Sequence, residues 1–238
     1  MPRPDGRAPS DLRPVSFQRG FTRAPGSVLA SFGNTRVLCT AMVQDSVPPF
    51  LQGRGKGWLT AEYSMLPSST ESRKSRDRVG NTDGRSVEIQ RLVGRALRAI
   101  VDTTVFGERT VWVDCDVIQA DGGTRTCAIT GAWVALHDLF TRMEAKRQLR
   151  SWPLKSQLAA ISVGVFEKTP VVDLDYAEDS KAETDMNLVM TGEGKFVEVQ
   201  GAAEGAPFDR DELDQMLELG TAACRRLFEL QLAALKPA

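Results

Sequence analysis

The chain has 238 residues, enough for a substantial core, and its 30 basic against 31 acidic side chains leave a net charge of −1. A surface so balanced is not coated for nucleic acid, so any polyanion must be held by a local cluster. A single histidine, His137, argues against His-dependent triads and multi-histidine metal sites, and the four scattered cysteines spell neither a zinc site nor a disulfide framework.

The spacing of Cys39, Cys115, Cys127 and Cys224 fits a reduced, cytoplasmic setting. The N-terminus is polar and proline-rich and no long apolar run follows, so neither a signal peptide nor a membrane span is expected. In chain order, residues 16–21 read as a strand, and 28–32 with 36–43 read as a hairpin around Gly33-Asn34-Thr35. Residues 45–57 form a loop in which prolines and glycines break any regular element. Residues 58–66 return to a strand, which Pro67 ends.

Residues 68–84 lack apolar content and read as a mobile, exposed loop carrying Arg73, Lys74, Arg76 and Arg78. A helix then begins near Ser86 with Asp83 as its cap, and Ile89, Leu92, Val93, Ala96, Leu97, Ile100 and Val101 form its apolar stripe. Arg85 falls in its first turn, where a cation opposes the macrodipole unless an anion is held there too. Arg91, Arg95 and Arg98 share one face of this helix. Between Arg73 and Arg98 eight bases face three acids, a local charge of +5. A solvated helix face beside a loop would look similar, but so would a groove for a polyanion's backbone.

Residues 111–118 alternate as a strand that stops at Asp121-Gly122-Gly123-Thr124-Arg125. Ile129, Ala132, Trp133, Leu136, Phe140 and Met143 then recur at helical spacing. A glycine turn opening a helix presents unpaired N–H groups, to which Thr124 adds a hydroxyl and Arg125 a planar fork. Those are the parts of an oxyanion site, although an ordinary strand-to-helix turn with a threonine cap uses the same residues. His137 lies mid-helix beside Asp138 and reads as a packing or surface histidine.

Residues 158–166 read as a fully buried strand and 170–174 as its hairpin partner. The following window is crowded with oxygen ligands. Asp185 stands at the start of another strand, and Asp179 lies in the preceding turn, where two carboxylates can share a hard cation such as Mg²⁺. Residues 196–200 continue the sheet and 201–207 form a turn. A last helix starts at the Asp209 cap with Glu212 at its third position and Phe208 stapling onto Leu213. With no repeat or linker visible, the expectation is a single α+β domain over 1–238, a mixed sheet packed with three long helices.

Taken together, the sequence resembles the ribonuclease PH family of phosphate-dependent 3′→5′ exoribonucleases. The resemblance rests on LRPV (12–15), GSVL with FGNTRVLCT (26–40), GWLTAEYSMLP (57–67), EIQRLVGRALR (88–98), DCDVIQADGGTRT (114–126), EDSKAETDMN (178–187) and EVQGAAEG (198–205). They run in the family's order along almost the whole chain. The departures are Cys127, where the family has a smaller residue, and the freely differing 75–83 loop. The resemblance implies an RNase PH-like fold, with inorganic phosphate as co-substrate held by Arg85, Gly123, Thr124 and Arg125. It implies Asp179 and Asp185 as catalytic carboxylates associated with Mg²⁺. The loop cations Arg73, Lys74, Arg76 and Arg78, with Arg91 and Arg95 on the adjoining helix, would contact RNA. The implied activity is trimming of tRNA precursors, and of other RNA 3′ ends including rRNA, with release of nucleoside diphosphates. The reverse nucleotidyl transfer is implied as well, in a cytoplasmic homo-oligomer that is a hexamer made of three dimers. A non-catalytic RNA-binding ring subunit and a small-molecule phosphotransferase are the competing readings, and phosphate-dependent RNA degradation separates all three.

Overall fold

Period-two alternation closed by tight turns builds the first sheet. In a computed structural model describing residues 3–76, 83–205 and 207–236, β1 (Val15–Arg19), β2 (Gly26–Phe32) and β3 (Thr35–Gln44) run antiparallel in succession. β5 (Thr110–Gln119) pairs antiparallel with β3, and β4 (Trp58–Met65) lies parallel on its far side. The sheet order is therefore β1-β2-β3-β5-β4. Parallel neighbours need a crossover, and α1 (Gly84–Ile100) supplies it. Asp83 caps α1 as expected, accepting the Arg85 backbone N–H at 3.2 Å. The predicted stripe from Ile89 to Ile100 is buried.

The second sheet is antiparallel in the order β7-β6-β8-β9, from β6 (Leu158–Phe166), β7 (Thr169–Val172), β8 (Thr184–Thr191) and β9 (Phe196–Ala203). Every residue of β6 is buried, as its uninterrupted apolar run predicts. Between the sheets lies α2 (Thr124–Ala145), which packs on β2 and β3 and also on β6. Contact on both sides buries Ala128, Val134, Ala135 and Leu139 along with the predicted stripe, so α2 is enclosed all round from Thr126 to Leu136 and has an exposed face only near its C-terminus. α4 (Arg210–Leu235) starts with the expected Asp209–Glu212 capping box and lays Met216, Gly220, Cys224, Leu227 and Phe228 over the second sheet. One hydrophobic cluster runs through both sheets. The fold is of the mixed α+β class expected, with three long helices.

Several expectations need correction. The strands divide into two sheets instead of one. β9 does not turn at Gly201 but continues to Ala203, because Gly201, Ala202 and Ala203 pair with Met186, Asp185 and Thr184. β7 stops at Val172 because Asp173 turns left-handed, with φ of +55°. A single 3₁₀ turn, Pro49–Leu51, interrupts the loop at 45–57. All four cysteines are buried and unpaired. His137 packs between Trp133 and Trp152, with ring centroids 5.7 and 5.2 Å away, and burial lowers its pKa. Among the described residues no helix is long and apolar enough to cross a membrane.

Candidate active site

Where β5 ends, the chain turns through Gly122 and Gly123, both left-handed with φ of +71° and +66°. A Cβ on Gly122 would lie 2.5 Å from the Leu174 carbonyl oxygen, so only glycine lets this turn press against the loop leaving β7. Gly123 is itself the cap of α2, and having no side chain it makes no capping hydrogen bond to the first-turn N–H groups. Thr124 is thus the first helical residue instead of its cap. The N–H groups of the first turn keep the positive end of the dipole open to an anion.

Thr124 is buried, and its hydroxyl oxygen accepts a hydrogen bond from the Tyr63 hydroxyl at 2.8 Å. Burial pushes the Tyr63 pKa up to about 12, against the opposing pull of Thr124, Arg85 and Arg125. Tyr63 therefore stays protonated and donates, which leaves the Thr124 hydroxyl hydrogen to point at a ligand. Beside it, the Arg125 side chain is 14% exposed, with Glu88 Oε1 at 3.6 Å from its Nη1. Arg85, in the first turn of α1, is exposed.

The carboxylates come from the second sheet. Asp175 caps a single helical turn, α3 (Tyr176–Asp179), in a reciprocal capping box with Glu178, which sets Asp179 at the turn's end. Asp185 is the second residue of β8, where strand pairing fixes its backbone. Burial pushes both carboxyl pKa values up, and the Asp179 charge raises that of Asp185 further. Arg85 and Arg125 pull both back down, so all four side chains share one electrostatic neighbourhood. Neither carboxylate has a hydrogen-bonded side-chain partner among the described residues. A donor set of two partly exposed carboxylates, all hard oxygens, fits a hydrated divalent cation such as Mg²⁺. The arrangement brings two arginines, a hydroxyl and a helix start, groups that can hold an anion, into the neighbourhood of two carboxyls that can take up or release a proton.

The remaining basic positions fall into two groups. Arg73, Arg76 and Arg91 are exposed. Lys74 Nζ lies 3.4 Å from Asp83, and Arg95 is bound by Glu198 with Nε at 2.9 Å. Arg98 sits over the Trp58 ring at 4.9 Å and donates to the Leu59 carbonyl at 3.1 Å. The shared arginine face of α1 is thus partly neutralised within the chain. Arg78 lies outside the described residues. Sequence reasoning missed Tyr63, whose signal was its inward place in the β4 alternation. It also gave no role to Arg13, which stands within LRPV.

Residues 11–140 match the family described as 3′ exoribonuclease family, domain 1, and residues 156–223 match 3′ exoribonuclease family, domain 2. Among solved structures, rice (Oryza sativa) Rrp46 aligns with a TM-score of 0.81 at 23% identity, over 99% of this chain and 100% of its own. The Archaeoglobus fulgidus exosome with RNA bound to the active site aligns with a TM-score of 0.82 at 21% identity, over 96% and 92%. An archaeal exosome core aligns with a TM-score of 0.78 at 21% identity, over 97% and 91%.

Proposed function

The chain belongs to the 3′ exoribonuclease family, and on that premise we propose that it is a phosphate-dependent 3′→5′ exoribonuclease of the ribonuclease PH type, trimming tRNA precursors. The carrying observation is that Arg85 and Arg125 act electrostatically on the same two carboxylates, Asp179 and Asp185. Inorganic phosphate binds at the Gly123-Thr124 helix start, where Arg85 and Arg125 offset its charge. One of its oxygens attacks the last phosphodiester of the RNA in line. A new P–O bond forms as the bond to the 3′ oxygen of the preceding nucleotide breaks, and a nucleoside diphosphate leaves. The departing 3′ oxygen takes its proton from Asp179 or Asp185, whose raised pKa values suit a general acid. Whichever of Asp179 and Asp185 does not donate the proton would hold the Mg²⁺ as an ionised carboxylate, and a bound cation supplies charge neutralisation on the phosphoryl oxygens. Because phosphate replaces water as the nucleophile, no histidine base is required. The reverse nucleotidyl transfer follows from microscopic reversibility.

Exposed Arg73, Arg76 and Arg91, with Lys74, Arg78 and Arg95, form the RNA-contacting set. The likeness to an exosome with RNA bound to its active site supports RNA as the substrate. A chain with net charge near zero holds RNA through few phosphates, so a cytoplasmic homohexamer gathering several copies of the basic segment completes the reading. The test incubates purified protein and Mg²⁺ with a 3′-extended tRNA precursor, with and without inorganic phosphate. Nucleoside diphosphates appearing only with phosphate are expected, while monophosphates or intact RNA refute the proposal. Sedimentation of the same sample reads the assembly: a hexamer is expected, and an active monomer rejects the ring.

A further inference from the structure

Two buried ion pairs join the N-terminal segment to opposite halves of this site. Arg13 is 5% exposed and Asp173 fully buried. The Arg13 guanidinium donates to both Asp173 oxygens, with Nη2 at 2.6 Å and Nε at 3.1 Å, and its backbone N–H donates to Oδ2 at 2.7 Å. The other edge of the same guanidinium donates to the carbonyls of Asp121 and Gly122, the two residues leading into the Gly123 cap. Arg3, 4% exposed, grips fully buried Glu178 with two bonds of 2.6 Å. Glu178 closes the capping box of α3 and immediately precedes Asp179. Between them, Arg3 Nη2 at 3.1 Å and Arg7 Nη1 at 3.0 Å both donate to the Asp173 carbonyl, and Val172 donates to the Pro9 carbonyl at 3.0 Å.

Buried ion pairs are weak sources of stability, because the desolvation of both charges offsets their attraction. Their geometric specificity is the stronger property, since a forked guanidinium fixes the direction of what it binds. Here the fixed objects are a turn whose carbonyls must face away from the anion and a single helical turn that ends in Asp179. We propose that residues 3–13 form a strap that positions the two half-sites, Arg13 setting the phosphate turn and Arg3 setting the Asp179 carboxylate. This rests on the phosphate-dependent reading above and adds positioning residues to it.

The two anchors have different kinetic signatures. Loosening the turn weakens phosphate binding, whereas loosening α3 leaves phosphate binding alone and misplaces the Asp179 carboxylate. Arg13→Lys and Arg3→Lys keep the charge and lose the fork. Calorimetric titration with inorganic phosphate reads affinity and the number of competent sites, and turnover of a short oligoribonucleotide at saturating phosphate reads kcat. Arg13→Lys is expected to weaken phosphate about 10-fold with kcat nearly kept, and Arg3→Lys to lower kcat about 10-fold with phosphate affinity and stoichiometry kept, as sub-ångström misplacement implies. Wild-type constants in both variants, or fewer competent sites with unchanged constants per site, overturn the strap as a positioning device. If Arg13→Lys fails to fold, the Arg3→Lys arm decides alone. A wild-type protein that neither binds phosphate nor phosphorolyses RNA overturns both readings, which separates that failure from failure of the strap alone.

Discussion

Replacing Arg125 with alanine tests the site most directly, because two separate measurements must move together. The Arg125 side chain is 14% exposed, and Glu88 at 3.6 Å is its ion-pair partner among the described residues, too distant for a strong hydrogen bond. Its fork is therefore available to a ligand. Losing a partly desolvated charged contact to phosphate costs about 2–5 kcal/mol, or about 30- to 5000-fold in the phosphate KM at 1.36 kcal/mol per decade. The lower end is expected, since Arg85 remains and water enters the gap. Arg125 also pulls the raised pKa values of Asp179 and Asp185 down. Without it both carboxyls protonate at higher pH, so the basic limb of kcat, set by the carboxyl that must stay protonated to donate, moves upward. The assay follows nucleoside diphosphate release from a short oligoribonucleotide across phosphate concentration and pH. Arg125→Lys should return the limb towards the wild-type position while repairing KM only in part, because it restores charge without the fork. An unchanged phosphate KM, or a limb that stays in place in Arg125→Ala, refutes the assignment.

Tyr63→Phe removes one buried hydroxyl and should raise the phosphate KM about 2- to 12-fold, the worth of one neutral hydrogen bond, with little change in kcat; a normal KM means Thr124 does not need its donor. Asp185→Asn should abolish turnover while leaving RNA binding nearly intact, and robust activity would sink the proposed role. The same variant should melt at a higher temperature above the carboxyl's titration range. A carboxyl with a raised folded-state pKa favours the fold when protonated and loses that advantage as pH rises, so neutralising it restores the stability. A lower melting temperature at neutral pH contradicts that sign. Replacing Arg73, Lys74, Arg76 and Arg78 together should flatten the dependence of log affinity for tRNA on log salt by up to about 3, while short oligonucleotides are still cut. An unchanged slope removes the loop from RNA binding.

What could be read from the sequence follows the range of the interactions. Caps and tight turns span four or five residues, so Asp83, Asp209 with Glu212 and the Gly33-Asn34 hairpin are all where their neighbours predict. The division into two sheets depends on α2, whose role is set by what lies on its far side. Its signal was present but misread: residues 126–137 carry no Asp, Glu, Lys or Arg, which suits a helix enclosed on both faces better than one with a wet side. The candidate site shows the same boundary. Each of Arg85, Arg125, Asp179 and Asp185 announces its chemistry locally, through a cation in a helix's first turn, a glycine turn or a carboxylate at a strand's start. Their convergence is tertiary, because α1, α2, α3 and β8 each contribute one member. Nothing local marks Arg13, whose partner Asp173 lies 160 positions away. The polar, proline-rich opening carries no local sign of a partner, and only the fold turns Arg3 and Arg13 inward. Local patterning thus names the groups proposed to meet the ligand, while the groups that hold them in place are chosen by contacts across the whole chain. Variants that alter the strap should for that reason change kinetic constants without touching any residue the ligand meets.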